Sequence, residues 1–307
     1  MIFSKFRANI SFLRPRAIWG MKRKRKMKKV MFAAAVAAAG LAFGIESANT
    51  VGYTTKTIPA GKYMMIAVQF DKVGGTALKF DEAFKLNVTG PKAWQSEEDE
   101  ECIPGWYANA PCLKIPYGTA EKAYRDLYWT QNAWDDDAGE FVEGWADAGG
   151  SYVATATMLD GYGVWMVAGS DDLTVTINGE VKGAASATFS AATGYNMMKL
   201  PYPVSLNTSD SKIDWNLTGP AAWVSEEDED CIAGWYTTAP CIKIPYGTAE
   251  MAYRDLYYSS KAWNDDAGEF VEGWADAGGS YISNAVIPEG MAFWFVVPSP
   301  VTSTVTK

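Results

Sequence analysis

Short apolar runs bounded by glycine and proline set the rhythm of the chain. "YMMIAVQF" (63–70), "CLKIP" (112–116) and "VWMVA" (164–168) are of this kind. Buried strands and buried short helices both look like this, and the run length and punctuation favour strands. "TVTI" (174–177) and "ATFSA" (187–191) alternate or are β-branched, and they flank Asn178-Gly179, a dipeptide suited to a tight hairpin turn. One segment reads two ways. "TAEKAYRDLY" sets Ala120, Ala123, Tyr124, Leu127 and Tyr128 at helical spacing behind Thr119 as a possible N-cap, whereas "YRDLYW" as a strand carries aromatics on alternate positions. No long helical pattern follows residue 48. Strands at regular spacing with Gly-rich turns predict an all-β protein, each unit a sandwich or barrel.

The pattern is written twice. Gly90-Pro91 recurs as Gly219-Pro220, and the same offset of 129 carries Cys102 to Cys231, Arg125 to Arg254 and Trp165 to Trp294. From Asn87 to Tyr152 no gap is needed. Upstream, "GKYMMIAVQF" (61–70) faces "GYNMMKLPYP" (194–203) with the offset grown by four. The expectation is two tandem units of one fold, 49–178 and 179–307, divided near Asn178-Gly179. Recent duplication explains such identity, and so does selection for two equivalent sites.

Residues 1–48 are unlike the rest. "MKRKRKMKKV" precedes the apolar run "MFAAAVAAAGLAFGI" (31–45), which reads as a signal peptide and is short for a membrane span. The twenty residues before Met21 do not fit a leader, and initiation at Met21 or Met27 fits better. The protein is therefore expected to be bacterial and exported (periplasmic, cell-surface or extracellular), with no membrane insertion once the leader is removed. The leader holds eleven of the 27 basic residues and one of the 36 acidic ones. Without it the net charge falls from −9 to −19, which argues against nucleic acid and anionic lipid as partners.

"PYPVSLNTSDSKIDW" (201–215), followed by "GGSY" and "IPEGMAFWF" (287–295), resembles a pattern in secreted bacterial surface proteins. The resemblance implies a β-rich, non-catalytic module. The first unit departs from it, reading "AVQFD" at 67–71.

The candidate site residues fall into three sets. Cys102 and Cys112, and Cys231 and Cys241, stand ten positions apart in each unit, and in an exported chain they are expected to form one disulfide per unit. Each bridge would hold an acidic run, Glu97–Glu101 or Glu226–Asp230, against its unit. Such a run reads as a solvated loop, a cation trap or a face for a basic partner. The second set is Asp136, Asp137 and Glu140 with Asp265, Asp266 and Glu269. These are hard oxygen ligands of the kind calcium takes, although their spacing fails the EF-hand loop. The third set is Trp106, Trp134 and Trp145 with Trp235, Trp263 and Trp274. Their Gly- and Asp-rich surroundings suit either core or exposed rings that stack on sugars.

The chain has no histidine, no Gly-rich phosphate loop and no Gly-x-Ser-x-Gly elbow, so catalysis is not expected. No cofactor is expected other than calcium at the second set. The reading is a secreted or surface-displayed tandem protein with a structural or adhesive role, its candidate partner a surface polymer or glycan. The alternative is a two-site carbohydrate-binding protein.

Overall fold

The computed structural model describes residues 51–72, 78–98, 101–120, 123–153, 161–227, 230–246 and 252–307. The proposed leader lies outside these residues, as do Asp99, Glu100, Asp228 and Glu229 of the acidic runs. The described chain is almost entirely β. The first half holds β1 (Val51–Ile58), β2 (Tyr63–Ile66), β3 (Phe70–Asp71), a helical turn α1 (Phe80–Ala83), β4 (Phe84–Leu86), β5 (Cys112–Pro116), β6 (Tyr124–Asp135), β7 (Glu140–Ala146), β8 (Val164–Val167) and β9 (Leu173–Val181). The second holds β10 (Ser186–Ala191), β11 (Gly194–Lys199), β12 (Leu206–Asn207), β13 (Ile213–Asp214), β14 (Cys241–Pro245), β15 (Tyr253–Asn264), β16 (Glu269–Ala275), β17 (Val286–Ile287), β18 (Ala292–Val297) and β19 (Val301–Thr306).

Each half builds a five-stranded antiparallel sheet, in the orders β2-β8-β5-β6-β7 and β11-β18-β14-β15-β16. A smaller sheet accompanies each: β9 pairs with β1, β3 and β4, and β19 pairs with β10 and β13. The apolar faces of large and small sheet share one core per half. In the first, Leu113, Leu127, Trp145 and Met166 meet Val175 and Ile177. In the second, Ile242, Leu256, Trp274 and Phe293 meet Val305.

The ambiguous segment 124–135 is a strand. A helix there would satisfy only its own backbone. As β6 it pairs with β5 on one side and β7 on the other, and sets Leu127 in the core.

Two sequence expectations are corrected by register. Asn178 and Gly179 form no turn. They lie inside β9 opposite Tyr53 and Gly52 of β1, and the chain passes to β10 only over residues 182–185. Gly179 serves packing instead, since a Cβ there would stand 2.6 Å from the Asp71 carbonyl oxygen and 2.7 Å from the Phe70 Cβ. The upstream offset grows by three, not four. Met65 pairs with Trp165 and Met197 with Trp294, so Met197 is the counterpart of Met65.

Candidate functional site

The acidic run is held without a disulfide. All four cysteines are free thiols, which corrects the expected Cys102–Cys112 and Cys231–Cys241 bridges. Cys112 is buried on β5, between Tyr128 of β6 and Val167 of β8. Cys102 packs against Gly150, with its Sγ 3.8 Å from the Ala148 carbonyl oxygen. The stretch between them is occupied by a 3-10 turn, Trp106–Asn109, entered through Gly105 in the left-handed conformation. Burial, with the Asp126 carboxylate adding to it, pushes the Cys112 thiol up to about 12. Burial does the same to Cys241. Both are inert thiols at neutral pH rather than nucleophiles.

Tryptophan does the clamping. The Ile103 N–H donates to the Ala93 carbonyl at 2.7 Å and closes the base of the acidic loop. The Trp94 indole N–H donates to the Gly150 carbonyl at 3.1 Å, and that of Trp106 to the Ala148 carbonyl at 3.3 Å. Both bonds tie the loop to the turn after β7, and each such bond contributes about 1 kcal/mol net. The second half repeats the clamp with Ile232 to Ala222 (2.8 Å), Trp223 to Gly279 (3.1 Å) and Trp235 to Ala277 (3.2 Å). Glu97, Glu98 and Glu101 are exposed beyond it, as are Glu226, Glu227 and Asp230.

The candidate sugar-stacking rings are mostly interior. Trp106, Trp145, Trp235 and Trp274 are buried, with at most 5 % exposure, so these four offer no free ring face. Trp134 and Trp263 are half-buried and sit edge-on to Phe141 and Phe270, with ring centres 5.3 and 5.2 Å apart. Their turn-like sequence context reflects the loops they anchor.

The candidate calcium ligands lie on a hairpin. The Asp135 carboxylate accepts the N–H groups of Asp137 (3.0 Å) and Ala138 (3.2 Å), and Glu140 stands opposite Asp135. Asn264 plays the same part for Asp266 and Ala267, with Glu269 opposite. Asp136, Asp137, Asp265 and Asp266 point to solvent from the tip. Among the described residues no three carboxylates or thiols come close enough together to hold a metal ion.

A cleft of about 630 Å³ opens beside β5. Its wall includes Tyr63, Tyr107, Cys112, Lys114, Asp126 and Tyr128. Tyr107 and Tyr128 pack with ring centres 5.1 Å apart, and Lys114 Nζ meets Asp126 Oδ2 at 2.9 Å. The other oxygen of Asp126 is buried with no hydrogen-bond partner among the described residues. Burial opposes the Lys114 ammonium, but its bond and charge attraction to Asp126, with Cys112 and Tyr128 adding to them, together lift the pKa above the ordinary lysine value. Burial pushes the Tyr128 hydroxyl up to about 12, with the neighbouring Cys112 and Asp126 reinforcing it. The second half repeats the geometry, with Tyr236 and Tyr257 at 5.2 Å and Lys243 and Asp255 at 2.7 Å. Pattern reading missed these residues. The one local signal was register: Lys114 and Asp126 stand directly opposite on a hairpin.

Comparison of the chain with protein-family models, with curated proteins and with solved structures finds no match.

Proposed function

We propose that the protein is exported and acts without catalysis, in a structural or adhesive role, as two tandem β units that each present one acidic end. The reading is supported by where the two copies have diverged. Residues 87–152 and 216–281 agree at 52 of 66 positions. The strands "VGYTTKTI" and "SATFSA", which hold equivalent places as β1 and β10, differ almost throughout. Recent duplication alone would leave both regions alike, so the agreement marks a retained surface. That surface carries the charge. The first segment has thirteen carboxylates against four basic side chains, and the second has twelve against three, a net −9 each. Residues 49–307 total −19, so everything outside the two segments amounts to −1. A bivalent, highly charged contact suits a basic surface polymer, and two sites on one body add avidity. The test is binding of purified protein to isolated cell envelopes across a salt series. Binding that falls steeply between 0.05 and 0.5 M salt (roughly the range over which the Debye length drops from 14 to 4 Å) is expected. Absence of binding at low salt, or recovery of the protein in the cytosol, overturns the reading.

The Tyr107–Tyr128 cleft favours a second reading, carbohydrate binding. Two rings beside a Lys–Asp pair offer an apolar face and hydroxyl partners to a sugar. This moves the carbohydrate hypothesis from tryptophan to tyrosine. A glycan array separates the two: a signal lost in Tyr107→Ala and Tyr236→Ala supports the cleft, and a blank array ends this reading.

A further inference from the structure

The joint between the halves is built from contacts that come in exchanged pairs. Ile66 bridges Met291, and Met198 bridges Tyr162. The Ala67 N–H donates to the Gly290 carbonyl at 3.0 Å, and the Lys199 N–H to the Gly161 carbonyl at 3.0 Å. Trp165 lies 6.3 Å from Tyr253, and Trp294 lies 6.4 Å from Tyr124. Within its own half each indole donates to a tyrosine hydroxyl, Trp165 to Tyr124 at 3.1 Å and Trp294 to Tyr253 at 3.0 Å. In every case one member becomes its partner's equivalent when the halves are exchanged. Residue i touching j while j's equivalent touches i's equivalent is the mark of an isologous two-fold interface.

Residues on the axis of such an interface meet their own equivalents. Gly163 and Ala292 are equivalents at the offset of 129, and a Cβ at Gly163 would stand 2.1 Å from the Ala292 Cβ. The joint therefore has room for one methyl group there, not two. Other contacts are one-sided and fix which half plays which part. The Gln69 side chain donates to the Leu200 and Tyr202 carbonyls at 3.1 and 2.6 Å and accepts from the Gly290 N–H at 2.7 Å. The Lys199 ammonium donates to the Val68 carbonyl. By register their equivalents are Pro201 and Ala67, which can do neither.

We propose that this joint is a homodimer interface carried inside one chain, with Gly163 and Ala292 on its axis, and that the same face of a second copy is the partner it takes when the halves part. A short link between the halves gives an effective concentration on the order of millimolar. Pairing between chains therefore competes with pairing within a chain at protein concentrations near that value.

The test uses the full chain and three variants. Gly163→Ala sets two methyls together and is expected to lower Tm by roughly 3–10 °C and to red-shift Trp165 and Trp294 emission. Ala292→Gly is expected to keep the joint. Gly163→Ala with Ala292→Gly restores one methyl on the axis, and a two-fold contact is indifferent to which side carries it. The double variant should therefore recover the emission and Tm of wild type, even if Gly163→Ala alone fails to fold. A double variant no better than Gly163→Ala overturns the two-fold assignment. When the joint is opened in urea and refolded near millimolar protein, wild type and double variant should yield a dimer of twice the mass with native emission. Monomer alone under those conditions overturns the second-copy partner.

Discussion

The outer segments of the two halves, 87–152 and 216–281, are nearly copies, whereas the joint and the small sheets behind them have been rebuilt. Both regions fold alike, so identity is not what the fold requires. The first half fills the place before β4 with α1, capped by Glu82 on the Lys79 N–H at 3.2 Å. The second uses a turn in which Asp210 accepts the Lys212 N–H at 2.9 Å. The cores differ as freely: Leu86 packs where the second half places Trp215. A sheet tolerates this because pairing fixes its backbone, and its core needs only volume and apolarity. The outer segments show no such licence. All their glycines, four of five tryptophans and twelve of thirteen carboxylates recur in place.

The largest effect should come from the largest core side chain that both halves share unchanged. Trp145→Ala and Trp274→Ala each remove a fully buried indole and are expected to cost about 3–5 kcal/mol. The two should fall within about 1 kcal/mol of each other, because Trp145 packs edge-on to Trp129 at 5.3 Å and Trp274 to Tyr258 at the same distance. Urea unfolding of each variant measures it. A large inequality would show that the halves share sequence without sharing packing.

A smaller effect separates the halves. The Tyr152 hydroxyl donates to the Asp81 carboxylate, whose pKa is raised by burial. Tyr281, the equivalent tyrosine, makes no such bond among the described residues. Tyr152→Phe strips a part-buried carboxylate of its donor and is expected to cost about 1–3 kcal/mol, while Tyr281→Phe should stay within about 0.5 kcal/mol. Equal losses by thermal or urea unfolding would erase this difference between a rebuilt and a simple support.

How much of this was legible in the sequence follows the range of the signal. All-β character came through because glycine and proline punctuate each strand locally. The repeated wording was plain in the sequence because one offset, 129, holds without a gap from residue 87 to 152. Asn178-Gly179 misled because the dipeptide that favours a turn also supplies the missing Cβ that lets β3 lie on β9. The cysteines misled because a spacing of ten says nothing about a 3-10 turn between them. Trp106 read two ways, as core or as an exposed ring, and it is core: its glycine and acidic neighbours describe the loop above it, not the pocket beneath. The cleft was hidden for another reason: Tyr63, Tyr107 and Tyr128 come from three separate segments. The joint was hidden most deeply, since it turns on a glycine facing an alanine.

Alkaline pH offers a milder test that acts at once on the Tyr128 cleft and on its counterpart residues in the second half. Burial pushes Tyr128 and Tyr257 up to about 12, from an ordinary value of 10. Between those values the unfolded chain has released protons that the folded chain still holds, so stability falls as pH rises through that window. The urea midpoint should be lower at pH 11 than at pH 8. Tyr128→Phe with Tyr257→Phe should flatten the drop, since neither group then titrates. An unchanged slope would place the alkaline sensitivity elsewhere, in Cys112, Cys241 and Tyr258, which are raised to a similar value.

The smallest effect on stability should fall on the most retained residues, and there the contrast between outer segment and joint is sharpest. Glu97, Glu98, Glu226 and Glu227 are exposed beyond the tryptophan clamps. Converting all four to glutamine touches no core and relieves mutual repulsion, so Tm should hold or rise slightly, each change lying within about 0.5 kcal/mol. If carboxylates are retained for folding, Tm must fall. If they are retained for a charged partner, Tm holds and envelope binding at low salt weakens. Substitution in the joint predicts the reverse: Gly163→Ala lowers Tm and leaves the charge of the outer ends untouched. Measuring both quantities on both variants separates a surface kept for contact from an interface kept for assembly.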